Sequence, residues 1–177
     1  SYALGVLGEV YLATHQWAIA QTLTEQALQL STAINADEMS YRWQAQLGTV
    51  LKNLDNPHHS RSKAIETYTQ AVETLSGLRG DLNAASEHAQ FSFHSDVEPI
   101  YRDLVSLLLD AASDTDHAGT GNISSPESTQ QALLQAQGVI ESLRLAELDN
   151  YFKEACIDVQ PVNINQVDAD AAILYTI

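Results

Sequence analysis

Apolar positions recur with helical spacing along most of the chain. Leu4, Leu7 and Tyr11 step by three and four; after a break at Thr14-His15-Gln16, Ala20, Leu23, Ala27, Leu30 and Ile34 resume the rhythm, which predicts two helices joined by a short turn. Trp43, Leu47, Val50 and Leu54, then Ile65, Tyr68, Val72 and Leu75, form a second pair. Asp55-Asn56-Pro57 separates them, because Pro57 has no amide hydrogen and pushes its predecessor out of helical geometry. A third pair opens at Ser95-Asp96-Val97-Glu98, which matches a capping box, and carries the stripe Val97, Tyr101, Leu104, Leu108 until it fades at Ala111-Ala112-Ser113. Asp114 to Ser125, rich in Gly, Ser, Thr and Asp, is expected to be an exposed, mobile loop. Ser125 as N-cap, Pro126 at the first helical position and Glu127 beside the positive end of the dipole restart a helix. Its two stripes, Leu133-Ala136-Ile140-Leu143 and Leu145-Leu148-Phe152-Ala155, are offset and require a wide apolar face or a bend. Beyond Cys156 the helical period disappears. The pattern therefore predicts an all-α domain over 1–157, built of hairpins at about 1–35, 38–82 and 95–157. An extended linker and one short strand follow over 158–177.

Similar hairpins invite a search for repetition. Leu7-Gly8, Tyr11, Ala20 and Ala27 stand at the spacings of a tetratricopeptide (TPR) repeat, and Leu47-Gly48, Leu51, Ala64, Tyr68 and Ala71 repeat the scheme, with Gly48 forty positions after Gly8 and four extra residues in the Asn53 to Arg61 turn. The small residues let helices approach closely, while Tyr11, Leu23 and Tyr68 fill the gaps between hairpins. The chain thus resembles a degenerate, lengthened TPR array, an α-solenoid fragment. The segments Ala64 to Leu82, Val97 to Val105 and above all Ile140 to Phe152 are similar to the region preceding the CHAT domain of cyanobacterial TPR proteins, where a helical array leads into a caspase-like peptidase. The resemblance implies a bacterial cytoplasmic setting, with Ala171 to Ile177 the truncated first strand of that domain. It also implies a role in recognising partners or regulating the peptidase. No catalytic residue is carried over, since the family's His and Cys dyad lies downstream of Ile177. The start at Ser1, inside a periodic segment, fits a piece of a longer protein.

Composition narrows the partners. With 8 Lys and Arg against 23 Asp and Glu, the formal net charge is −15, and no basic stripe exists to neutralise phosphates, which argues against nucleic acid and anionic membranes. No Lys or Arg precedes Arg42, so the first hairpin is purely acidic. No apolar run approaches the roughly 18 to 20 residues of a membrane helix. One cysteine cannot form an internal disulfide and fits a reducing compartment.

Candidate chemistry is sparse. Glu154-Ala155-Cys156-Ile157-Asp158 departs from the Gln-Ala-Cys-x-Gly nucleophile pattern, and its acids raise a thiol pKa that catalysis needs lowered. His58-His59 and the single histidines His15, His88, His94 and His117 lack metal-ligand spacing. Asp114 to Gly119 lacks an oxygen ligand at Ala118 and the bidentate glutamate of a calcium loop, and Gly119 to Asn122 has no lysine to complete a phosphate cradle. The sequence supports neither enzyme activity, nor a metal, nor a cofactor. What remains is a surface. In a hairpin array the first helices line a concave face, here Tyr2, Gly5, Glu9, Leu12 and Ala13, then Arg42, Ala45, Thr49, Lys52 and Asn53. Arg42, Lys52 and Asn53 are placed to hold a peptide carboxylate or backbone. The expected function is non-catalytic binding of a protein or peptide, including the adjacent peptidase domain. The alternatives are a structural segment that homo-oligomerises through exposed terminal faces and a helical ligand-binding or enzymatic bundle.

Overall fold

The computed structural model describes residues 1–54, 57–85, 93–117 and 126–151. Among them are α1 (Tyr2–Ala13), α2 (Trp17–Ala33), α3 (Asp37–Lys52), α4 (Pro57–Ala85), α5 (Glu98–His117) and α6 (Pro126–Tyr151), with a π-helical turn over Phe93–Val97 and no strand. The linker and strand expected over 158–177, the end of the third hairpin over 152–157 and Cys156 lie outside the described residues. The all-α expectation holds for the described part, with six helices paired as α1/α2, α3/α4 and α5/α6.

Two turns share one geometry. His15 and Asn35 adopt the left-handed conformation, with φ of 58° and 51°. The His15 amide donates to Leu12 O at 3.0 Å and the Gln16 amide to Tyr11 O at 2.9 Å; Asn35 to Thr32 O (3.1 Å) and Ala36 to Ser31 O (2.9 Å) reproduce the pattern. This is the Schellman arrangement, which satisfies the last carbonyls of one helix while Gln16 or Ala36 already caps the next. Hence only three residues separate α1 from α2 and α2 from α3.

Contacts between helices set their directions. Ser1, Tyr2 and Gly5 of the first hairpin meet Met39, Trp43 and Gln46 in the same order, so α1 and α3 run parallel. Arg42 and Lys52 meet Asp96 and Asp103 in the same order, so α5 is parallel to both. Ser40 meets Ser31 and Gln46 meets Thr24 in opposite order, which makes α2 antiparallel to α3. The main apolar core belongs to the second and third hairpins, where Tyr41, Tyr68, Leu75, Tyr101 and Leu104 are among its members.

The first hairpin packs differently from the apolar stripes read in its sequence. On α2 the buried residues are Ala20, Thr24, Ala27 and Ser31, whereas Leu30 and Ile34 face solvent. On α1 the buried residues are Gly5 and Gly8, and Leu7 is exposed. Close approach explains the difference. A Cβ on Gly8 would stand 2.7 Å from Gln46 Nε2 and 2.9 Å from Thr24 Oγ1, so glycine and small hydroxylated residues admit helices that leucines would hold apart.

Three boundaries also move. Helical backbone begins at Phe93, so Ser95 lies inside the π turn and donates to Asp96 Oδ1 at 2.9 Å, where the capping box placed it ahead of the first turn. α4 continues to Ala85, and α5 to His117, into the segment read as a loop. Ala112, where the stripe was expected to fade, is buried against the rest of the fold and extends the apolar face.

Candidate functional site

The helices α1 and α3, which carry the expected groove residues, run parallel to each other and to α5, but most of those residues are engaged within the protein. On α1, Gly5 faces inward beneath the Trp43 indole; a Cβ there would run into the ring. Tyr2 is exposed, with its ring 6.3 Å from that of Trp43 and tilted by 58°. Glu9 and Ala13 are exposed and Leu12 is half-buried. Gly5 is thus a packing residue and leaves the groove assignment.

Trp43 is buried and its Nε1–H has no hydrogen-bond partner. Burial of roughly 200 Å² of indole at about 25 cal/mol/Å² returns about 5 kcal/mol. The unpaired donor costs about 1–3 kcal/mol, so the ring stays inside.

On α3, the cations read as peptide clamps turn to the third hairpin. Arg42 Nη2 lies 3.4 Å from Asp96 Oδ2, and its Nε donates to the Tyr41 hydroxyl at 3.2 Å. Lys52 Nζ lies 3.0 Å from Asp103 Oδ1. Both bridges are substantially exposed and contribute about 0.2–1 kcal/mol each, enough to orient α5 without holding it alone. Asn53 Nδ2 donates to Thr49 O at 2.8 Å and so caps the last turn of α3. Ala45 packs against the core.

Thr49 joins a denser cluster. The Tyr68 hydroxyl donates to Asp103 Oδ2 at 2.9 Å, since a carboxylate only accepts, and Thr49 Oγ1 stands 2.8 Å from the same hydroxyl oxygen. Burial drives the Tyr68 pKa well above the ordinary tyrosine range, the Thr49 hydrogen bond opposes this, and the Asp103 charge adds to it. Tyr41 is also raised, mainly by burial, with Arg42 opposing. Neither tyrosine is poised as an acid or base near neutral pH. The arrangement Thr49–Tyr68–Asp103–Lys52 is a structural tie among α3, α4 and α5.

Asp96, Asp103 and Trp43 escaped the groove reading. Asp96, in the π turn, and Asp103, on α5, are seven residues apart, and that spacing was the available signal for two acids facing α3. Among the described residues no group of three or more His, Cys, Asp or Glu is arranged to hold a metal ion, and no helix is long and apolar enough to cross a membrane. No protein family, curated protein or solved structure matches the chain.

Proposed function

We propose that this chain is a non-catalytic protein-interaction module, a TPR-like array of helical hairpins that recruits or regulates a caspase-like peptidase domain following it in a longer bacterial cytoplasmic protein. The observation that carries the interaction reading is the parallel alignment of α1, α3 and α5, with α1 meeting α3 and α3 meeting α5 at successive positions. Such stacking presents an elongated surface instead of enclosing a reaction centre. The polar cluster around Tyr68 supports it as well, since its groups are consumed in tying helices together. The peptidase part rests on the similarity of Ile140 to Phe152 to the segment that precedes CHAT domains.

Sequencing the gene beyond the Ile177 codon, followed by binding of residues 1–177 to the domain encoded there, tests both parts. Saturable binding to a peptidase-like domain is the expected result. A gene with no such domain after Ile177 overturns the peptidase part, and hydrolytic or transfer activity of the isolated chain overturns the non-catalytic one.

A further inference from the structure

α1 is apolar nearly all round, with Glu9 its single charged residue. Gly5 and Gly8 turn inward, while Ala3, Val6, Leu7 and Val10 share the opposite side, where the last three are 37%, 44% and 55% exposed. A helix of this kind is ordinarily covered on both sides.

The chain contains the covered version of this face. In the forty-residue register that aligns Gly8 with Gly48, Ala3, Val6, Leu7 and Val10 correspond to Trp43, Gln46, Leu47 and Val50. On α3 that side packs against a helix of the preceding hairpin: Gln46 Nε2 donates to Thr24 Oγ1 at 2.7 Å, and Ser40, on the same face, donates to Ser31 Oγ at 3.0 Å. Trp43 and Val50 are buried. Two helices share in covering it: α1, parallel, through Gly5 against Trp43 and Gln46, and α2, antiparallel, which presents the small residues Ala20, Thr24, Ala27 and Ser31. α1 therefore offers to solvent the face whose counterpart on α3 is covered, in part by an antiparallel helix.

Charge selects the occupant. The first hairpin carries Glu9 and Glu25 and no Lys or Arg, and the whole chain carries −15. A second copy would bring the same acidic surface to the contact, whereas a helix with cations beside its apolar stripe is attracted to it. We propose that the Ala3–Val6–Leu7–Val10 face docks one amphipathic helix of a partner protein, antiparallel to α1, small and apolar along its contact stripe and bearing Lys or Arg along its flank. The proposal rests on the reading of the chain as an interaction module and specifies where on it, and with what chemistry, a partner is held.

The test uses the full 177-residue chain and two dye-labelled peptides patterned on Trp17–Ala33. Both carry Ala at positions 20, 24, 27 and 31; positions 21, 28 and 32, which flank that stripe on a helix, are Lys in one and Glu in the other. Fluorescence anisotropy at about 0.1 M salt is expected to show the Lys peptide binding at least about tenfold more tightly than the Glu peptide. Val6→Asp with Val10→Asp should weaken it by at least about tenfold, and Leu148→Asp on α6 should leave it unchanged. Both valines are exposed, and unchanged circular dichroism checks that the variant folds; Val6→Ser with Val10→Ser replaces it otherwise. A spin label at the peptide N-terminus should broaden amide resonances around Val10, and one at the C-terminus those around Ala3. Absence of binding, equal binding of the two peptides, indifference to the valine substitutions or the reverse labelling pattern overturns the proposal. So does a dimer of the chain that sedimentation shows to be lost on Val6→Asp with Val10→Asp, which assigns the face to a second copy. If the peptides fail while the chain still binds the domain encoded after Ile177, the docking face falls and the module reading stands.

Discussion

The Tyr68 hydroxyl donates to Asp103 Oδ2 at 2.9 Å and thereby ties the second hairpin to the third at a point where Lys52 holds the other carboxylate oxygen at 3.0 Å. Removal of the carboxylate leaves a largely buried hydroxyl with only Thr49 as a partner, so Asp103→Ala is expected to cost about 1–2 kcal/mol in urea unfolding. Lys52→Gln breaks only an exposed bridge and should cost under about 1 kcal/mol, a loss that shrinks further in about 1 M salt. Equal costs for the two variants would mean that the ion pair, and not the tyrosine hydrogen bond, holds the seam.

The same contact has an alkaline signature. Because the folded pKa of Tyr68 lies above the unfolded value of 10.0, the native state keeps the proton when the unfolded chain has lost it. The associated stability is fully present below about pH 10 and declines as pH rises beyond it. At pH 11 the loss from this residue is on the order of 1 kcal/mol. Unfolding free energies of the native chain and of Tyr68→Phe, compared between pH 9 and 11, should converge by about that amount; parallel curves would show that Tyr68 titrates normally. Tyr41, raised in the same sense, contributes equally to both proteins and cancels.

Glycine substitutions in two helices should have opposite signs. A Cβ on Gly48 would lie 2.6 Å from Tyr68 Cδ2, so the overpacking cost of about 1–3 kcal/mol outweighs the gain of about 1 kcal/mol in helix propensity, and Gly48→Ala destabilises. Gly77, inside α4, has nothing within 4 Å of its would-be Cβ. Gly77→Ala should stabilise by up to about 1 kcal/mol. Thermal melts of the two variants decide the matter, and a common sign would refute the packing described for Gly48.

Asn35 occupies the left-handed position that ends α2, with φ of 51°. Asparagine tolerates this conformation and a β-branched residue does not, so Asn35→Val is expected to cost about 1–2 kcal/mol while Asn35→Gly is neutral or stabilising by a few tenths. Denaturant midpoints of the pair test whether the turn is as tight as the Schellman hydrogen bonds indicate.

Gln46 Nε2 reaches both Gly5 O at 3.1 Å and Thr24 Oγ1 at 2.7 Å, so one amide pins α1 and α2 to α3. Gln46→Ala should cost about 1–2 kcal/mol and speed amide hydrogen exchange in α1 more than in α5. Uniform acceleration along the chain would show that the first hairpin does not open separately.

Much of the helical architecture was legible because it is written locally. The periodic stripes place all six helices, Thr14-His15-Gln16 marks a real turn, and Ala20, Ala27, Ala64 and Ala71 are fully buried where the small-residue spacing put them. The groove was less legible. Tyr2 and Glu9 are exposed as expected, but Gly5 seats Trp43, Asn53 caps α3, and Arg42 and Lys52 are claimed by Asp96 and Asp103, more than fifty positions away in sequence. No local pattern reports which distant acid will meet a cation.

By itself, the sequence determined that the described chain is helical, where its first turns fall and which small residues sit at helix crossings, since hydrogen-bond period, left-handed turn positions and steric size are properties of a few adjacent residues. Only the tertiary structure decided which face each helix buries. Thr24 and Ser31 lie inside while Leu30 and Ile34 lie outside, because Gln46 and Ser40 of α3 supply the hydrogen bonds that make burying those hydroxyls favourable. The apolar outer side of α1 has the same origin. A stripe of valines and leucines demands a neighbour, and only packing reveals that α2 and α3 cover the opposite side.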